Sequence, residues 1–402
     1  MRKLAARRAD LRVVEPAVRK IVEDVRNNGE RALRKYAAKW DGLKPGQPLR
    51  VRDAELKAAW KNAMPEFREA LQIAARNIRQ FCEWQKPKEW RRARNGITLG
   101  QLVRPLESVG CYVPGGRHPL VSTLLMTVIP AQVAGVKHIR VVSPQAKPEV
   151  LAAAGMLGVR EFYRAGGAQA VAALAYGTAG IPRVDKIVGP GNSFVTAAKK
   201  VVAFDCSIDF LAGPTEALIL SSRGKPRFIA ADLVAQAEHD PDAVAVLVTT
   251  SKNLAAEVAA TAESASHENS LLAALALKKN GAILVAGSRK QALAWANEIA
   301  PEHITVDRED LEEVSHAGSV FVGDYSAQAA GDYAAGPNHV LPTAGVARFR
   351  GGLSVFDFVK VITVQEVSAN GLRRIAPAVQ RLAKAEGLET HAESIRVRVA
   401  HA

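Results

Sequence analysis

From Val14 to about Phe81, apolar side chains recur three and four residues apart: Ile21, Val22 and Val25, then Leu33, Tyr36 and Trp40, then Phe67, Leu71, Ala74 and Ile78. That period predicts successive amphipathic helices, broken at Asn27-Asn28-Gly29 and at Asp41-Gly42, where turn-forming residues cluster. Trp84 to Arg94 is polar and reads as a connection, and Ile97 to Val103 reads as a strand.

Beyond Ser108 the pattern changes. Short β-rich runs (Val109 to Val113, His138 to Val142, Glu161 to Tyr163, Val184 to Val188) alternate with helical runs (Ser122 to Ala134, Val150 to Leu157, Gln169 to Tyr176, Ser193 to Ala203). Pro130 is expected to kink or interrupt the first of these helices. A second alternation follows: Ala217 to Leu220, a helix from Phe228 to His239, Val244 to Thr249, two helices between Leu254 and Leu277, Ala282 to Ala286, and Gln291 to Ile299. Strand and helix in turn imply parallel sheets of βαβ units. The expected fold is therefore α/β, with two similar, incomplete Rossmann-like lobes, a helical N-terminal arm and a helical C-terminal tail from Gly371 to Ala400. The expected boundaries are 1–13 for the arm, 14–111 with 217–358 for one lobe, 112–216 for the other, and 359–402 for the tail. Ligands are expected in the cleft between the lobes.

With 402 residues, 48% of them hydrophobic and only 5% aromatic, the chain can build more than one core. The net charge of +14 lies almost wholly in residues 1–100, which hold 25 Lys and Arg against 12 Asp and Glu. Solvated helix faces account for such an excess, and no RNP-like, zinc-finger or helix-turn-helix signature accompanies it, so nucleic acid is not expected as a partner. No apolar run approaches a membrane span and residues 1–10 precede no apolar leader segment, so a cytoplasmic location is expected. Three scattered cysteines, Cys82, Cys111 and Cys206, argue against both a disulfide framework and a thiolate zinc site.

The candidate chemistry begins at Ala235-Gln236-Ala237-Glu238-His239-Asp240. On a helix Gln236 and His239 share a face, and an oxygen beside an imidazole nitrogen suits a borderline cation such as zinc. The same residues also make an ordinary polar helix end. Further polar groups follow in Pro301-Glu302-His303, in Gly331-Asp332-Tyr333 with Asn338-His339, and in Glu386 with His391. Glu302 and His303, read alone, are equally exposed loop residues; beside a cleft they would serve as a water-activating base and a proton acceptor. Three Gly-rich turns, Pro114-Gly115-Gly116-Arg117, Gly166-Gly167 and Gly189-Pro190-Gly191-Asn192, each lie between a strand and a helix. That arrangement favours phosphate, although tight-turn chemistry alone would produce the same glycines. The G-x-G-x-x-G fingerprint with an acid about 20 residues on is missing, so a dinucleotide would need a different set of loops.

The strings GCYVPGGR, GGAQAVAALAYGT, VDKIVGPGN, AGPTE, QAEHDP, APEH, GDYAAGPNHVLPT and AEGLETH, spread from near Val14 to the C-terminal residues, resemble the histidinol dehydrogenase family. The resemblance implies one zinc ion per subunit, NAD as the oxidant, and two successive oxidations carrying L-histidinol through the aldehyde to L-histidine. It places zinc ligands at Gln236, His239, Asp332 and His391, and the catalytic pair at Glu302 and His303. NAD contacts fall at Tyr112, Gln169 and Asn192. Substrate contacts fall at Thr215, His339 and Glu386, besides the zinc ligands and His303. The family usually has Ser where this chain has Thr215, so the hydroxyl survives with a methyl added. The resemblance also implies a homodimer whose tails complete each other's sites.

Two other functions use the same residues. A related zinc- and NAD-dependent dehydrogenase of another small polar alcohol, such as sulfopropanediol, shares the GPTE string; Tyr333 and the Glu386/His391 tail favour histidinol. A zinc hydrolase would use Glu302 without NAD and would leave the three Gly turns unexplained. A thiol route through Cys111 is not expected, because that residue stands in mid-strand among apolar neighbours.

Overall fold

The computed structural model describes Leu4, residues 11–115 and residues 120–401; most of the 1–13 arm, and Gly116 and Arg117 of the first Gly-rich turn, lie outside them. Two compact units make up the chain: residues up to Gln85 with Leu106–Phe358, and Lys86–Pro105 with Val359 onward.

The strands, in chain order, begin with β1 (Arg50–Val51), β2 (Trp90–Arg94), β3 (Ile97–Pro105), β4 (Ser108–Tyr112) and β5 (His138–Val142). Next come β6 (Glu161–Tyr163), β7 (Lys186–Val188), β8 (Ser207–Ile208), β9 (Glu216–Leu220) and β10 (Val244–Thr249). The last are β11 (Ala282–Val285), β12 (His303–Val306), β13 (Ser319–Val322) and β14 (Val359–Val367).

The first unit holds two sheets. One has six strands in the order β1-β6-β5-β4-β7-β8, parallel except for β1. The other has five, all parallel, in the order β11-β10-β9-β12-β13. In each, the chain leaves a central strand toward one edge and later returns to build the opposite half. The order therefore reverses between β4 and β7 in the first sheet and between β9 and β12 in the second. A crevice opens where neighbouring crossovers part to opposite faces, which is where ligands of open α/β sheets lie.

Burial explains why these runs are strands. All residues of β4, β9 and β10 are buried, as parallel strands covered on both faces must be. Successive side chains alternate between faces: Leu218, Val246 and Ile304 join one core, Ile219, Ala245 and Leu247 the other. The N-terminal amphipathic run is realised as Glu15–Trp40, bent at Gly29, whose φ of +53° accommodates the Asn27-Asn28-Gly29 break. Its Val18, Ile21, Val22, Val25 and Leu33 pack with Val171 and Leu174 over the first sheet.

The second unit is a three-stranded antiparallel sheet, β14-β3-β2, with helices Ala369–Ala385 and Glu389–Ala400. Two expectations change here. The polar connection ends in a strand, because Trp90–Arg94 pairs along β3 even though all five of its residues are exposed. The tail begins with the nine-residue β14 before turning helical, and Gly387, at φ +72°, divides its two helices.

Pro130 does not interrupt its helix, which runs unbroken from Val121 to Ala134. A proline leaves the carbonyl four residues earlier without its donor, and here that carbonyl, Met126 O, accepts from Asn338 Nδ2 at 2.6 Å. Asn338 Oδ1 in turn accepts from Val340 N at 2.9 Å, so one side chain ties the helix to the loop that carries His339. Replacing Asn338 by Ala strands a part-buried carbonyl, at a cost of roughly 1–3 kcal/mol. In a Pro130→Ala background the restored N–H reaches Met126 O, and the same substitution should cost much less. A thermal-melting double-mutant cycle showing no coupling would refute this account.

Candidate active site

Strands β9 and β12 are parallel neighbours, with His303 opposite Ala217, so Thr215-Glu216 and Glu302-His303 meet at the same end of the second sheet. Glu302 Oε2 accepts from Thr215 Oγ1 at 2.6 Å and from Glu216 N at 2.9 Å. His303 Nδ1 faces the Glu216 carbonyl at 3.3 Å, and its Nε2 faces Asp332 Oδ1 at 3.2 Å. The adjacent acid and imidazole are therefore not exposed loop groups: 7% of Glu302 and 2% of His303 remain accessible.

Gln236 closes the same corner. Its helix runs from Pro226 to Ala237, so His239 lies just beyond the end and not inside it. A turn bond from His239 N to Gln236 O, at 3.5 Å, prolongs the helical path and keeps the two residues neighbours. The Gln236 amide nitrogen donates to Thr215 Oγ1. Its carbonyl oxygen is thus the atom that remains for a ligand.

Asp332 arrives on the short helix Gln328–Tyr333. Burial alone would raise its carboxyl, but the His303 hydrogen bond and the fields of His303, His339 and His239 hold it below the usual carboxylate range. His303 shows the reciprocal effect. Burial works against charge on this ring, yet the Glu302 carboxylate and the Asp332 hydrogen bond outweigh it and favour the protonated form well above the ordinary imidazole range. His339 differs: its Nδ1 is 2.8 Å from the Asp332 carbonyl, and burial lowers its pKa, leaving a neutral ring with Nε2 as an acceptor.

Thr215, Gln236, His239, Glu302, His303, Asp332 and His339 all line one cavity of about 190 Å³. Its far wall is built by Pro190 and Phe210 beside the first sheet, and by Leu120, Ser122 and Thr123 at the start of the Pro130 helix. A second cavity of about 430 Å³, along β13, shares His303, Asp332 and His339 with it. Glu386 and His391 are carried by the second unit, at the end of one of its helices and the start of the other.

Whether these residues suit a metal turns on donor chemistry. Imidazole nitrogen, carboxylate oxygen and amide oxygen form a set that zinc accepts. Among the described residues, no three His, Cys, Asp or Glu side chains are gathered closely enough to hold an ion by themselves. The set fits in kind, while its number depends on the Gln236 oxygen and a further donor.

The Gly166-Gly167 and Gly189–Asn192 turns both meet the end of β4 at the other crevice, where β4 and β7 part. Tyr112 ends β4 with its hydroxyl accepting from Gly167 N at 3.0 Å, and Gln169 donates to Asp41 Oδ2 at 3.0 Å. Asp41 also accepts from Gly166 N at 2.9 Å; burial raises its carboxyl pKa against these bonds. Asn192 caps the helix Ser193–Val202 by accepting from Phe194 N and Val195 N, both at 3.1 Å. Asp41 had been legible only as turn punctuation, and Glu216 only as the end of AGPTE. Neither carries a local signal, because each role is set by a partner more than 80 residues away. Cys111 is fully buried and its thiol is pushed up to about 12, in keeping with an unreactive residue.

The fold alone is shared with an acetylating aldehyde dehydrogenase from Geobacillus thermoglucosidasius, 14% identical with a TM-score of 0.50, covering 91% of this chain and 94% of that one. A crystal structure of histidinol dehydrogenase from Elizabethkingia anophelis matches far more closely: TM-score 0.93, 37% identity, 98% of this chain and 93% of that one. The histidinol dehydrogenase family model matches residues 4–399. Among curated relatives, histidinol dehydrogenase of Methanothermobacter thermautotrophicus is 47% identical over 409 residues, covering 98% of this chain and 95% of the relative. That of Synechococcus sp. is 45% identical over 398 residues, covering 96% and 92%. These relatives make the chain, with its α/β fold and buried acid–imidazole pair, an oxidoreductase. The chain belongs to the histidinol dehydrogenase family.

Proposed function

We propose that this chain oxidises L-histidinol to L-histidine through the aldehyde, in the last steps of histidine biosynthesis, with two NAD and one zinc ion per subunit. The observation that carries the reading is the single cavity that joins the Glu302–His303 pair, the Gln236, His239 and Asp332 donors, and Pro190 of a Gly-rich turn. Family membership favours histidinol over another small polar alcohol.

Gln236, His239, Asp332 and His391 would hold zinc, which supplies a positive template for the amino and imidazole nitrogens of the substrate. Tyr112, Gln169 and Asn192 would contact NAD, which supplies the hydride acceptor. Thr215, His339 and Glu386 would orient the substrate, together with His303. The methyl of Thr215 leaves the hydroxyl bond to Glu302 intact.

In the first oxidation His303 takes the hydroxyl proton as the hydride departs. A base needs a free Nε2, and that atom now faces Asp332. An Asp332 carboxylate that held zinc would leave the His303 Nε2 free and would no longer help to keep that ring protonated. In the second oxidation Glu302 takes a proton from the water that attacks the aldehyde carbon, the protonated His303 returns its proton to the carbonyl oxygen, and the same ring takes that proton back from the hydrate as the second hydride leaves. Keeping the aldehyde inside a buried cavity protects it from side reactions.

A homodimer with shared sites belongs to this proposal, with His391 of the partner subunit completing the donor set and residues 359–402 reaching across. The second unit favours it. Leu99, Val361, Ile362, Leu382, Leu388 and Val397 are each more than 40% exposed, a great deal of apolar surface for a unit of that size to leave in water. A cytoplasmic location goes with the same reading; no helix among the described residues is long and apolar enough to cross a membrane.

The test is purified protein with zinc, NAD and L-histidinol, following NADH and histidine together. Two NADH per histidine is the expected ratio; turnover without NAD, or none on histidinol, would refute the proposal.

A further inference from the structure

One buried pair has no part in the chemistry above. Lys199 and Asp209 form an ion pair with 3% and 1% of their side chains accessible. Taking two charges out of water costs several kcal/mol per ion, and an apolar pair would fill the same space more cheaply. What an apolar pair cannot do is hold backbone groups. Asp209 Oδ2 accepts from Gly189 N at 2.8 Å, and Lys199 Nζ donates to Gly189 O at 3.0 Å, so both polar groups of one glycine are held by one ion pair. Asp209 Oδ1 also accepts from its neighbour's amide, Phe210 N, at 2.6 Å.

The glycine so held is the first residue of the Gly189-Pro190-Gly191-Asn192 turn. Its φ is +113°, and a Cβ there would lie 2.2 Å from the Tyr112 carbonyl oxygen, so the turn sits directly against the end of β4. Lys199 is reinforced by Thr196, one turn earlier on the same helix face, whose hydroxyl donates to Ala212 O at 3.1 Å and lies 3.5 Å from Gly191 O. Pro190, Phe210 and Ala212 line the cavity. One face of the helix Ser193–Val202 therefore grips both the Gly-rich turn and the cavity wall.

We propose that Lys199 and Asp209 are positioning residues for the coenzyme, an ion pair retained because it fixes the Gly189–Asn192 turn against Tyr112 and in register with the wall at Phe210. This rests on the reading of that crevice as the NAD site. Loss of the pair loosens the turn at the dinucleotide while the Glu302–His303 corner, on the other sheet, stays as it is.

The experiment uses the full-length enzyme with zinc and the double variant Lys199→Met/Asp209→Leu. Replacing both charges by apolar groups spares the fold the penalty of one unpaired buried ion, so melting should stay near that of the parent. NADH affinity, followed by fluorescence titration, should fall and KM for NAD should rise, each about tenfold, equivalent to ~1.4 kcal/mol. KM for histidinol and kcat should stay within about twofold. A folded double variant with unchanged KM for NAD overturns the proposal, as does one in which both KM values rise together. Should the double variant not accumulate, Asp209→Asn carries the test, since an amide cannot accept through both of its heavy atoms; unchanged NADH affinity there also overturns it. A parent enzyme that turns over with NAD but whose bound NADH is insensitive to every change in this turn refutes the positioning role alone. A parent that binds no NADH refutes the coenzyme-site reading and the proposal with it.

Discussion

Glu302→Gln should leave oxidation of the alcohol to the aldehyde largely intact and slow conversion of the aldehyde to the acid by about 100- to 10,000-fold, the usual reach of a positioned general base. The substitution is isosteric. An amide oxygen at the position of Oε2 can still accept from Thr215 Oγ1 and Glu216 N, so the corner keeps its shape. What is lost is the ability to take a proton from water. A second effect has a definite sign: the Glu302 charge helps keep His303 protonated, so its removal lowers the pKa of that ring and makes it, if anything, a readier acceptor in the first step. Stopped-flow traces should show the first NADH at near-parental rate and the second delayed, and aldehyde supplied directly should be oxidised slowly. Equal losses in both steps would remove Glu302 from the water-activating role.

The next largest effect is expected from two single variants, His391→Ala and His239→Ala, each made inactive by loss of metal. If each site draws His239 from one subunit and His391 from the other, mixing and re-forming dimers from equal amounts creates heterodimers with one intact site. The other site in such a dimer carries both defects. Random pairing makes half of the dimers mixed, so activity should recover to about a quarter of the parental value, with matching zinc content. A set of ligands drawn from one chain would recover nothing. Retention of stoichiometric zinc by His391→Ala would exclude that residue from the ligand set.

Much of this protein was legible as pattern. The runs at Ala217 to Leu220 and Val244 to Thr249, apolar but for Thr249, are strands because parallel strands are covered on both faces, and the turns at Gly166-Gly167 and Gly189–Asn192 do follow strands. The residues that hold the site together were not legible. Asn338 reads as part of a polar loop until the carbonyl orphaned by Pro130 is found 212 positions away in sequence. Lys199 reads as one more helical lysine, although its charge lies inside the protein. Periodicity reports which face of an element is buried, and says nothing about which distant backbone group a buried polar atom will meet.

The amino-acid order by itself determined the alternation of strands and helices, the bend at Gly29, and the presence of imidazoles, carboxylates and an amide of the right chemistry, since these depend on each residue and its near neighbours. Tertiary structure decided that β9 and β12 lie side by side, and with that the 2.6 Å contact between Thr215 and Glu302. It also decided the protonation balance of His303, because burial and the Asp332 carboxylate, 29 positions along the chain, act on that ring together with its neighbour Glu302. Desolvation and Coulomb energy depend on distance through space, a quantity that separation along the chain does not fix.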